Sequence, residues 1–259
     1  MTRRKLLPLV KMLPLVIAAS AAAWQPVPAA AVRMETFILD LQIEDTHQQN
    51  TMVVEFQPGL TVVTYYNEFG DKEVAFFEPP HRLMRAMYYN PERRLTSQTV
   101  YHYREKYLEM KGDLNVRYPL EGDIFDNSGS LFYLFSVFQP PVNGRLNFKL
   151  VQSNLSRIPD PFLRFLIAQL VGPVPMYLKH VKTENLAWQS SEVSALCFEL
   201  AIAEGRLASF WPYKYYFWYD AKRQRLLQHQ GQTTDKKMAV YRVIDSYEWE
   251  KPEPELPTL

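Results

Sequence analysis

Cysteine is nearly absent from this chain of 259 residues: Cys197 stands alone, which excludes an intramolecular disulfide and any paired-cysteine metal site. Glycine is scarce as well, with nine residues, none of them arranged as a phosphate-cradling loop. There is no Gly-x-Ser-x-Gly elbow and no His-Glu-x-x-His pair. The five histidines, His47, His81, His102, His180 and His229, lie too far apart to suggest a shared metal, so each reads as a polar strand residue. Basic clusters are missing once the N-terminus is set aside. The first 31 residues hold Arg3, Arg4, Lys5 and Lys11 and no acid, and without those four the 29 basic residues become 25, against 28 acidic ones. A mildly acidic body without a basic patch offers nothing for nucleic acid to hold. The expectation is therefore no metal, no cofactor and no nucleic-acid partner.

Apolar and aromatic residues are plentiful. Hydrophobic residues make up 47% of the chain and charged ones 22%, an ordinary globular balance, but 14% aromatic is high. A chain of this length and composition can bury a substantial core.

The N-terminus reads as an export signal. MTRRK is basic, MLPLVIAASAAA (12–23) is apolar, and Ala29-Ala30-Ala31 follows Pro26 and Pro28. This pattern predicts a Sec-type signal peptide over 1–31 with cleavage after Ala31. The alternative is an uncleaved inner-membrane anchor. A spanning helix needs about 20 apolar residues, and Pro8, Lys11 and Pro14 leave a shorter run. The expected location is a periplasm, with membrane contact only through the leader before cleavage. A chain stabilised by its core, without disulfides, fits that compartment.

Beyond the leader, alternation dominates. In METFILDLQIED, Phe37, Leu39, Leu41 and Ile43 share one face while Thr36, Asp40, Gln42 and Glu44 share the other, a half-buried strand. Similar runs occupy 51–56, 60–66, 73–77, 82–89, 95–104 and 114–119, separated by QPG, NEFGD, EPPH, NPER and KGD. Short strands at this spacing predict an antiparallel meander. Strands resume at 145–152, 193–205, 214–220, 225–231 and 238–249, while 177–188 is ambiguous. Two helices interrupt them. SGSLFYLFSVFQPP predicts a helix over 130–138, capped by Ser128 or Ser130 and stopped by Pro140-Pro141. PDPFLRFLIAQLVGP predicts another over 161–171, capped by Asp160, nearly apolar all round and so buried. The tail 251–259, rich in proline and acid, reads as disordered.

Chemistry-bearing constellations are few. Asp45, Glu55, Glu105, Asp126, Glu199 and Asp220 lie in or beside apolar strands, and a converging pair would suit a hydrolase. Strand-end carboxylates are more often solvated, so this is the minor alternative. Cys197, in SALCFELAI, reads as a small buried hydrophobe. The aromatic stretch FWPYKYYFWY (210–219) stands out. As a strand it puts Tyr215, Phe217 and Tyr219 on one face and Tyr216 and Trp218 on the other. Aromatic strands are usually core.

The run YYFWYDAKRQRLLQHQG, preceded by ALCFELAI, resembles the end of the periplasmic family called domain of unknown function 3108, and DNSGSLFYLF resembles that family's mid-chain helix. The likeness covers residues 126–245. It implies an exported, mostly antiparallel β protein and assigns no catalytic residue. A more distant architectural likeness is to lipoprotein-carrier proteins, with a curved sheet covered by helices, which is an analogy of fold alone.

These observations predict one mature domain over 32–250: a mainly β protein, a large curved antiparallel sheet of half-barrel type, with two short apolar helices on its concave side. The expected function is non-enzymatic, the binding of an apolar or amphipathic molecule such as a lipid, acyl chain or lipoprotein tail. The alternative is an envelope assembly factor with a packed interior. The candidate ligand-binding residues are Phe132, Phe135, Phe162, Phe165, Leu166, Tyr216 and Trp218.

Overall fold

A computed structural model describes residues 32–112, 115–126, 129–151, 172–203, 214–232 and 237–251. They form one 15-stranded sheet with a single short helix among the described residues. Strands β1 (Val32–Ile43), β2 (Thr46–Gln57), β3 (Leu60–Tyr66), β4 (Lys72–Glu78), β5 (Arg82–Tyr89), β6 (Leu95–His102), β7 (Tyr107–Gly112) and β8 (Val116–Pro119) run outward from the middle as a meander. The chain then starts again at the far edge with β9 (Ile124–Asp126), passes through helix α1 (Ser130–Val137), and enters β10 (Arg145–Val151) parallel to β9. It returns to the middle through β11 (Val174–Trp188), β12 (Ser191–Ile202), β13 (Tyr215–Asp220), β14 (Leu226–Gln232) and β15 (Met238–Lys251), and β15 pairs with β1.

This topology dictates curvature. The two edge strands, β8 and β9, are consecutive in the chain, joined only by residues 120–123. Such a link spans at most about 18 Å, whereas fifteen strands laid flat measure about 65 Å across. The sheet must bend round until its edges approach. Leu120 N–H donates to the Lys106 carbonyl and Lys149 N–H to the Asp123 carbonyl, so the link is tied to both wings. Tyr88 on β5 donates its hydroxyl to Asp126 Oδ1 on β9 at 2.5 Å, across the same gap. Five ladders shift register, and β-bulges of this kind bend a sheet. The exposed Val181 and Ile244 are the extra residues of two of these bulges.

Helix α1 occupies the concave side and packs against β3, β4, β9 and β14, strands of both wings. Leu131, Phe132, Tyr133, Leu134 and Phe135 are all buried, so the helix has no solvent face along its first turns. Its start differs from the expected serine cap. Gly129 holds the N-cap position without a side-chain cap, and its N–H donates to Glu73 Oε2 from β4. A carboxylate there also suits the positive end of the helix dipole. Glycine is required because the Tyr65 ring lies 2.2 Å from where a Cβ would sit. The predicted helix over 161–171 lies outside the described residues. No helix among the described residues is long and apolar enough to cross a membrane.

Candidate functional site

The inner face is read from cross-strand pairs. Phe198 on β12 sits opposite Phe217 on β13, Phe217 opposite His229 on β14, and His229 opposite Tyr241 on β15. Strict alternation along β14 would put His229 on the same face as Leu227. The bulge at Leu227 breaks that phase, turning Leu227 outward and leaving Leu226 and His229 both inward. The His229 ring is therefore sandwiched in a ladder, 4.4 Å from Phe217 at 23° and 5.3 Å from Tyr241 at 26°. Phe132 of α1 lies over it at 5.3 Å. Tyr215 closes a third side at 6.1 Å, its own ring lying across Gly231, where no Cβ would fit.

His229 is half-buried, but both ring nitrogens are shut off from solvent and neither has a hydrogen-bond partner among the described residues. Burial drives its pKa down to about 3, so the imidazole is neutral. An unpaired buried polar group costs about 1–3 kcal/mol, and this residue is one of several on the inner face, the Tyr101 hydroxyl being another. By alternation alone His229 is a polar strand residue. Only the bulge, which alternation does not reveal, turns it inward.

Phe132 and Phe135 come together here. Phe132 meets Tyr65 at 5.6 Å, and Phe135 packs edge-on against Phe217 at 5.2 Å. Tyr219 donates its hydroxyl to the Phe132 carbonyl at 3.0 Å, holding α1 to the C-terminal wing. On the other wing His81 Nδ1 lies 3.1 Å from the Tyr133 hydroxyl.

Tyr216 and Trp218 lie on the outer face, separated from the phenylalanines by the sheet. They belong to a satellite cluster with Ala195, Cys197 and Leu227. The polar atoms of both rings have partners. Trp218 Nε1 donates to Glu184 Oε1 at 2.8 Å, and Glu184 also holds Lys182. Glu199 accepts from Tyr177 at 2.6 Å, Lys214 at 2.9 Å and Tyr216 at 3.3 Å. Burial works against the ionised form of Glu199, but these donors outweigh it and hold the carboxyl below its ordinary range. Cys197 is buried as expected, and desolvation pushes its thiol up to about 11. Phe162, Phe165 and Leu166 lie outside the described residues.

Besides Glu199, three of the carboxylates weighed for hydrolysis have local tasks. Asp220 Oδ1 accepts the Lys222 and Arg223 N–H groups of its turn, Glu55 holds Gln57, and Asp126 receives Tyr88. No group of three or more metal-ligating side chains occurs among the described residues.

No protein-family profile matches the chain, and no curated protein sequence does either. Solved structures that superpose on most of the chain include a β-barrel-like protein of domain of unknown function 1849 from Brucella abortus, at 8% identity and TM-score 0.44, covering 85% of this chain and 98% of the other. A hypothetical lipoprotein, YmcC from Escherichia coli, aligns at 9% identity and TM-score 0.34 over 83% of this chain and 86% of its own. A LolA superfamily protein from Nitrosomonas europaea aligns at 9% identity and TM-score 0.22 over 87% and 89%. All three are too distant to lend a role to any residue, and the architecture rests on the sheet itself: one large, open, curved, mainly β half-barrel.

Proposed function

We propose that this chain is an exported, non-enzymatic envelope protein that binds an apolar or amphipathic molecule, such as a lipid or acyl chain, against its concave face. The leader-like segment 1–31 supports export. The observation that carries the binding reading is the inner aromatic wall, where Phe132 and Phe135 of α1 meet Phe217, Tyr241 and an unpartnered His229. Apolar pockets with a few convergent polar groups are the usual form of small-molecule sites. Phe162, Phe165 and Leu166, which lie outside the described residues, are proposed ligand-binding residues on their sequence pattern alone.

A second reading, an envelope assembly factor with a packed interior, draws on the burial of α1 along its first turns. Tyr216 and Trp218 on the outer face then belong to a partner surface rather than to a ligand site. Native mass spectrometry of protein recovered from the periplasm separates the two. Bound lipid that organic extraction removes is the expected result. Lipid-free protein that also takes up no fluorescent acyl probe would overturn the first reading in favour of the second.

A further inference from the structure

We propose that His229 is the polar anchor of this site and that it selects an uncharged, hydroxyl-bearing amphiphile, an alcohol rather than a carboxylate or an ammonium. The inference rests on the apolar-ligand reading and names the head group that reading leaves open. Its basis is geometric. The imidazole is clamped between Phe217 and Tyr241, so ligand can reach only its edge, and that edge carries two nitrogens with no partner. A neutral imidazole offers one N–H donor and one acceptor lone pair. A hydroxyl matches either one, because it both donates and accepts.

The surroundings decide against charge. Among the described residues, the rings against it are Phe217 and Tyr215 from β13, Tyr241 from β15 and Phe132 from α1, none of them an ion. A carboxylate or ammonium brought here would lose its hydration with no opposite charge on these four rings to meet it, a far larger cost than desolvating a hydroxyl. Phe132 is the group a ligand must displace. It comes from the helix rather than from the sheet, so a ring movement at α1 can expose His229 without disturbing the ladder.

The test is binding of 1-dodecanol, dodecane, laurate and dodecylammonium to the protein expressed from the full-length sequence and freed of lipid. Four forms are compared: wild type, His229→Leu, His229→Gln and Phe132→Ala. Dodecanol should bind about tenfold tighter than dodecane, the value of one or two buried hydrogen bonds, and should also exceed both ions. The preference for dodecanol over dodecane should vanish in His229→Leu and return in His229→Gln, which keeps a donor and an acceptor. Phe132→Ala should tighten all four probes while preserving their order. Equal binding of dodecanol and dodecane, or a preference for either ion, would overturn the role of His229 while leaving an apolar site intact. Failure of every probe on both wild type and Phe132→Ala would overturn the apolar-ligand reading itself.

Discussion

The two faces of β13 carry the same kind of side chain in different surroundings. Inward, Tyr215, Phe217 and Tyr219 meet other rings and the backbone of α1; outward, Tyr216 and Trp218 meet carboxylates and lysines. On the outer face both rings donate to a carboxylate, and Glu184 and Glu199 each have more than one donor. On the inner face packing is dense, yet a histidine is left with neither nitrogen paired. A fully satisfied network is what a surface needs to remain stable. A polar group left over inside an aromatic wall costs stability and is the kind of feature that function retains.

The sharpest way to break the comparison is to remove a ring from the inner wall. Phe135 is fully buried and touches both Phe148 and Phe217. Phe135→Ala should cost about 3–5 kcal/mol, the range for deleting a buried aromatic ring with incomplete collapse. The measurement is the urea unfolding midpoint. A loss under about 1 kcal/mol would show that α1 is not packed on the sheet in solution, and the inner face would then be an open chamber.

A smaller effect separates the faces by pH. His229 is held neutral in the fold with a pKa of about 3, against about 6.5 in an unfolded chain. Below 6.5 the unfolded chain takes up a proton that the fold refuses. Stability is therefore complete above 6.5 and declines as pH falls toward 3. At pH 5 the deficit is at most about 2 kcal/mol. Among the described residues, the titratable side chains stacked on it are the phenols of Tyr215 and Tyr241. The difference between wild type and His229→Phe, measured by unfolding at pH 7 and pH 5, isolates this contribution from the carboxylates shared by both. No difference in slope would mean that solvent reaches the ring.

Most of the sheet was legible in the sequence. Alternation marks β1 to β6 because each buries one face, and the two-sided character of β13 follows from parity alone. Strand β7 was missed because the turn before it contains Lys106 at a φ of 58°, with no glycine to signal it. The helix over 130–138 appears as Ser130–Val137, but its N-cap is Gly129, whose N–H is held by Glu73 on a distant strand, which no local pattern encodes. Parity also cannot say which face of β13 meets the helix. The candidate set accordingly joined Phe132 and Phe135 to Tyr216 and Trp218, which the sheet separates. His229 was hidden for a related reason: one bulged residue reverses its face, and bulges depend on pairing with neighbours that are distant in sequence.

The outer face should prove tolerant, and Lys214 is the finest probe of that. Its Nζ lies 2.9 Å from Glu199 Oε2, but about half of its side chain is exposed at 49%. Glu199 retains the Tyr177 and Tyr216 hydroxyls when the lysine is gone. Exposed pairs of this kind contribute roughly 0–1 kcal/mol and are screened by salt. Lys214→Met should therefore shift the unfolding free energy by less than about 0.5 kcal/mol, with any loss shrinking further in added salt. It should leave the binding of 1-dodecanol unchanged, because the sheet lies between this lysine and the inner wall. A weakened dodecanol affinity at unchanged stability would mean that the outer face belongs to the ligand site after all, joining the two sides of β13 in one function.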